Sequence, residues 1–179
     1  MALTARAAQD LGLAGLLGGN LFGRLALHPS VTEISDEAER GKVVNAAWRR
    51  YGTVNSISLA AVIAGWVGGR GEEAVDPGLA RAKDALVAAV ALTGLASAVQ
   101  GMRFAAKAPG GAVPLADGDH VAARAGEDVR RAKRRLNVLG AAALAAEAGL
   151  VVVDSALAQQ SLSRPPARRL LRRWAPRTA

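Results

Sequence analysis

Two long stretches of this chain carry no charged residue at all. Between Arg50 and Arg70, residues Tyr51 to Gly69 read YGTVNSISLAAVIAGWVGG; between Asp84 and Arg103, residues Ala85 to Met102 read ALVAAVALTGLASAVQGM. At 19 and 18 residues, each matches what a helix needs to cross the hydrocarbon of a bilayer. A helix on the surface of a soluble protein shows a charge on its wet face every turn or two. Neither stretch does, which argues against the alternative of a cytosolic Ala-rich four-helix bundle.

Two outer segments resemble these but are interrupted. Leu11 to Leu27 contains Asn20 and Arg24, and Leu136 to Val153 contains Glu147, with Asp154 just beyond. A charged side chain at bilayer depth costs roughly 2.5 to 3.5 kcal/mol on insertion scales, so these helices are expected to insert with partners covering their polar groups. The first segment could be taken for a signal peptide, but Asn20 and Arg24 break its apolar run and no small-residue cleavage pattern follows, so it is read as a retained helix. The expected fold is therefore all-α: an integral membrane bundle of about four transmembrane helices, spanning about 10–28, 51–69, 85–102 and 136–154. These occupy a domain of residues 1–160, and a basic tail follows over 161–179.

Composition fits lipid better than water. Hydrophobic residues make up 51% of the chain but aromatics only 3%, with 20 glycines. Soluble cores rely on large aromatic fillers, whereas small residues let helices approach closely where no hydrophobic effect drives them together. Small residues recur every fourth position in each span, most specifically Gly15, Gly19 and Gly23 in the first. That row is expected to be a packing face, within the bundle or in a homodimer. With no cysteine, disulfides, thiolate metal sites and cysteine nucleophiles are excluded. The abundance of Arg, Ala and Gly points to a bacterial source.

The net charge of +8 would suit a nucleic-acid binder, but the charges lie between and after the apolar spans. Anionic lipid head groups of a cell membrane are thus the expected partner, with no nucleic acid; a homo-oligomer or membrane complex is compatible with the same surface. In the tail, Arg168, Arg169, Arg172 and Arg173 oppose Leu170, Leu171 and Trp174, as in a short amphipathic helix lying on a membrane, or a disordered basic tail. Positive charges divide almost evenly between the two sides of a four-span topology, so they do not orient the chain. The acid-free tail favours both termini inside.

The connections carry signals of their own. Ser35 to Arg50 reads as a short capped helix, Asp119 to Arg135 as a charged helix running into the last span, and Ala108 to Pro114 as a flexible Pro/Gly tip. The polar stretch from Arg70 to Asp84 makes the second and third spans an antiparallel hairpin. Trp48 and Tyr51 beside Arg49 and Arg50, and Trp66 near the opposite end, look like interfacial anchors.

Intramembrane polar residues are candidates for function because lipid penalises idle ones. Glu147 lies roughly 16 Å into its span at 1.5 Å per residue, near the midplane. Asn20 lies at similar depth, with Arg24 one turn nearer the loop side, from where it could reach Glu147. Asn55 and Gln100 extend this into a candidate cluster of Asn20, Arg24, Asn55, Gln100 and Glu147. It is either an interhelical lock or a polar cavity for a small ligand. His28 and His120 have no partner at ligand spacing, so no metal site is expected, and His28 beside Pro29 reads as the end of the first helix. No cofactor motif, phosphate-cradling loop or nucleophile elbow appears, and the catalytic residues of any activity are unknown.

The segment Trp48-Arg49-Arg50-Tyr51 before the second span, and the basic run Arg130 to Asn137 opening the fourth, give the chain a resemblance to small four-helix bacterial membrane proteins grouped with anthrone oxygenases. The similarity covers most of residues 8 to 158. It implies cofactor-free oxidation of polyaromatic substrates in a pocket lined by polar side chains, although this chain has few aromatics to stack such a substrate. Taken alone, the residues favour a non-enzymatic bundle or accessory subunit. A membrane-embedded oxygenase-like enzyme or transporter-like small-molecule handler is the alternative.

Overall fold

A computed structural model of the protein describes residues 2–70 and 76–162. Four long helices dominate: α1 (Ala2–Phe22), α2 (Glu37–Gly69), α3 (Pro77–Ala105) and α4 (Glu127–Leu162). Of these, α2, α3 and α4 are long and apolar enough to cross a membrane, and they contain the three spans expected over 51–69, 85–102 and 136–154. The first helix starts earlier than its expected span and takes in Arg6, Gln9 and Asp10. The amphipathic tail falls, from residue 163 onward, outside the described residues.

Local chemistry sets the helix ends. Asp36 lies just before α2 and accepts a hydrogen bond from the Glu39 amide at 2.8 Å, while Glu37 and Glu39 face the positive end of the helix dipole. Asp76 does the same for α3, accepting from the amides of Gly78 and Leu79 at 2.7 and 3.2 Å, with Pro77 at the first helical position. After Phe22 the first helix widens into a π-helical turn, Gly23–Leu27, followed by His28–Ser30. Pro29 lies just beyond the widening; it supplies no N–H, and its ring crowds the carbonyl four residues back, that of Leu25.

Neighbouring helices run antiparallel, and packing is closest within two sequence-adjacent pairs, α1 with α2 and α3 with α4. The glycine face of α1 explains the first pairing. A methyl group at Gly12 would lie 2.5 Å from the Ser58 carbonyl oxygen, one at Gly15 would strike the Ser58 hydroxyl, one at Gly19 the Tyr51 phenol and one at Gly23 the Trp48 indole. Gly15, Gly19 and Gly23 therefore face α2 within the bundle. Trp48 and Tyr51, expected as interfacial anchors, instead fill the space the glycines leave, and the Tyr51 hydroxyl donates to the Gly15 carbonyl. Trp66, the third expected anchor, donates to Asp84 at 2.6 Å and carries Arg70 over its ring.

Two apolar clusters result. One lies between the helices, with Leu13, Leu16, Val62, Val87, Val90, Ala146 and Leu150. The other, with Val31, Val44, Phe104, Val113, Leu115 and Ala132, closes the end of the bundle beneath the 106–126 connection. That connection departs from expectation. The Pro/Gly segment turns through Pro109–Gly111, with Gly110 and Gly111 at φ of 63° and 75°, and drives Val113 and Leu115 into the cluster instead of forming a loose tip. A bridge between Leu115 and Val121, together with Asp117 accepting from the amides of Asp119 and His120, holds residues 115–121 out of helix. The charged helix expected from Asp119 thus begins only at Glu127. Likewise Ser35 to Arg50 is no separate short helix: α2 is continuous from Glu37, because nothing in GKVVNAAWRRYG interrupts it.

Candidate functional site

Polar groups gather between the two helix pairs. Where α1 meets α4, Gln9 donates to Asp154 at 2.6 Å, and Lys83 of α3 pairs with the same carboxylate at 2.8 Å. Further along, Asn20 Nδ2 donates to both oxygens of Glu147, at 2.7 and 3.0 Å. Glu147 is only 3% exposed. The two acids seven residues apart on α4 thus face α1 together, as two helical turns require.

The rest of the expected cluster does not assemble around Glu147. Arg24 donates instead to the Asn137 carbonyl at 3.2 Å and lies against Gly140, where a methyl group would sit 2.6 Å from its guanidinium. The register is the reason: α1 and α4 are antiparallel, so the Arg24 side chain, starting one turn beyond Asn20, ends about two to three turns before Glu147. Asn55 and Gln100 are half-buried, and neither is hydrogen-bonded to Glu147 among the described residues. The five residues resolve into one buried interhelical pair, one arginine serving the loop end and two amides apart from both.

A second polar group, missed in the sequence, lies at that loop end. His28, 8% exposed, is in the short turn after the π-helix, outside α1. Its Nδ1 is 3.0 Å from Asp119 Oδ1, and its Nε2 is 3.2 Å from Trp48 Nε1. An indole N–H only donates, so Nε2 must accept and the ring proton must sit on Nδ1, pointed at the carboxylate. The imidazole is neutral in this arrangement. Gly118 is pressed against the same histidine: its amide donates to the His28 carbonyl at 3.2 Å, and a Cβ there would overlap the His28 side chain. The Gly118 carbonyl in turn accepts from Lys133, which is 7% exposed and lies 5.8 Å from the centre of the Phe104 ring. Asn137 completes the link, donating to the Asp119 carbonyl at 2.8 Å.

This group binds the 106–126 connection to the ends of α1, α2 and α4. Its partners lie 91 residues apart in the case of His28 and Asp119, so no local spacing signals them. The residue types alone were the available clue, since a lone histidine beside a membrane segment and a lysine within a basic run each invite a search for an acid. Among the described residues no group of three or more His, Cys, Asp or Glu could hold a metal ion. Burial depresses the pKa of His28 against the opposing pull of Asp119, with Lys133 and Arg24 adding to the depression.

The His28 shift has a measurable consequence. The unfolded imidazole titrates near 6.5 and the folded one lower, so between these values the unfolded chain binds more protons. Stability is therefore full above about pH 6.5 and falls as pH drops towards the folded value. In detergent, the melting temperature of the wild type is expected to fall between about pH 7.5 and about pH 5.5, and His28→Gln to show a much smaller fall over the same interval. An equal fall in both proteins would remove His28 as the cause.

No protein-family model, curated protein or solved structure matches the chain, so its geometry is the basis for any assignment.

Proposed function

We propose that the chain is a non-enzymatic, multi-pass protein of a bacterial cell membrane, an accessory or oligomeric component in which α1 makes a fourth crossing. One observation carries this reading: the most apolar windows of α2, α3 and α4 are only 22%, 11% and 22% buried. Leu92 and Leu95 on α3 are 69% and 59% exposed, and Met102, Ile57, Val138 and Val152 are also turned outward. Water penalises such a surface at about 25 cal/mol per Å²; lipid does not.

α1 lies antiparallel to both α2 and α4, with Gly12 to Gly23 level with Trp48 to Val62 and Asn20 level with Glu147. Its own apolar residues Leu3, Leu11 and Phe22 are exposed, as is Leu25 in the π-helical turn after it. Gln9 and Asn20 on α1, and Arg24 in the π-helical turn after it, each have a partner on α4. That mutual satisfaction supports a lock over a reactive site, because polar groups bonded to one another are not presented to a ligand.

Fractionation is expected to leave the protein in the carbonate-washed membrane pellet. Reporter fusions at the N terminus and at residue 179 should report the same side, and a fusion in the Ala108–Pro114 loop the opposite side. Extraction by carbonate would defeat the membrane reading, and termini on opposite sides would defeat the fourth crossing. The lock makes a separate prediction. Asn20→Ala leaves the Glu147 carboxyl buried without its donor and should cost about 1–3 kcal/mol, whereas Asn20→Leu with Glu147→Leu should be close to neutral. A single-variant cost well below about 0.5 kcal/mol would show that the pair does not hold the bundle.

A further inference from the structure

At the loop end of the bundle, four exposed arginines have no ion-pair partner among the described residues: Arg49 and Arg50 on α2, Arg103 on α3 and Arg135 on α4. Their neighbours differ. Lys42 pairs with Glu39, Lys107 with Asp128 and Arg124 with Glu37, while Arg130, Arg131 and Arg134 gather around Glu127. Among exposed cations the pairing is divided by position: those further out meet acids, and those where the apolar spans begin or end do not.

The helix registers bring the four to one level. Leu59 contacts Gly94 across α2 and α3, so ten residues further along the antiparallel pair Arg49 comes opposite Phe104, beside Arg103. The Lys133 ammonium lies over the Phe104 ring, which sets Arg135 at the same height on α4. The Trp48 indole meets Gly23, placing that level at the end of α1, where Phe22 and Leu25 are exposed. Three of the four arginine columns also continue into apolar surface. Val54 lies one turn below Arg50, Val99 one turn below Arg103 and Val138 one turn below Arg135, all three exposed. A guanidinium with an apolar strip one turn deeper on the same helix face matches an anionic phosphate with an acyl chain beneath it.

We propose that Arg50, Arg103 and Arg135, with Arg49, form a belt that binds the phosphate head groups of anionic phospholipids in one leaflet. Guanidinium forks engage phosphate oxygens in pairs, and the low aqueous exposure at a membrane surface strengthens the attraction. The proposal rests on the membrane reading above, but the two fail separately. A protein that resists carbonate yet shows no lipid preference overturns only the belt.

The test uses the full chain, purified in detergent with equimolar phosphatidylglycerol and phosphatidylcholine, with co-purifying lipid counted by native mass spectrometry. The wild type is expected to retain phosphatidylglycerol in excess. R50Q/R103Q/R135Q should lose at least about fivefold of that enrichment, the effect of about one arginine at a charged surface. The corresponding Arg→Lys variant should keep most of it, and so should R168Q/R169Q/R172Q/R173Q, which removes charge from the tail. If circular dichroism shows the triple glutamine variant unfolded, R50Q, R103Q and R135Q are measured singly, and a loss in each supports the belt. No enrichment in the wild type, unchanged enrichment in the glutamine variants, or its abolition by the tail substitutions alone would overturn the proposal.

Discussion

A bilayer offers no hydrogen-bond partner to a side chain, and this single condition divides the surface of the bundle in two. Apolar side chains that a soluble protein would bury, such as Leu92, Leu95 and Ile57, point outward. Polar side chains such as Gln9, Asn20, Glu147 and Asp154 are turned inward and matched to each other. Glu147 illustrates the second half. It would be costly on a lipid-facing surface, and among the described residues it meets the amide of Asn20 from another helix. The same condition explains why so few aromatics are needed, because packing in lipid depends on close approach more than on bulk.

Close approach is achieved differently at the two kinds of helix contact. Between α1 and α2, glycines at 12, 15, 19 and 23 admit a serine, a tyrosine and a tryptophan directly against the helix backbone. Between α1 and α4, packing is sparser and direct polar bonds do the joining: Gln9 with Asp154, Asn20 with Glu147 and Arg24 with the Asn137 carbonyl. The bundle is thus two tightly packed hairpins joined by a shared apolar cluster and, where α1 meets α4, by a polar seam. At the loop end the seam runs into the group around His28, where Trp48, Asp119, Gly118 and Lys133 hold the 106–126 connection in place.

Much of this was legible in the residues because a membrane imposes simple rules. Runs without charge gave two of the three helices that are long and apolar enough to cross a membrane, and the third was read despite Glu147 within it; four-residue spacing gave the glycine face, and depth along antiparallel helices brought Asn20 level with Glu147. What escaped was set by register and by distance in the chain. Arg24 was expected to reach Glu147, but lying a turn further along an antiparallel partner it meets Asn137 instead. Trp48 and Tyr51 have the composition of interfacial anchors, and only the holes left by Gly19 and Gly23 show why they turn inward. Residues Ala108 to Pro114 looked like a flexible tip because Pro and Gly dominate them. Val113 and Leu115 reveal otherwise only once there is a cluster for them to enter.

The outward-facing apolar side chains are the point on which everything else depends, and the absence of cysteine makes them directly testable. Single cysteines at Ile57, Leu95, Val99 and Val152, each carrying a nitroxide, would be compared for relaxation by oxygen and by a water-soluble nickel chelate in reconstituted vesicles. The account predicts that oxygen dominates at all four positions, as in hydrocarbon. Dominance of the nickel chelate there would place these faces in water and contradict it.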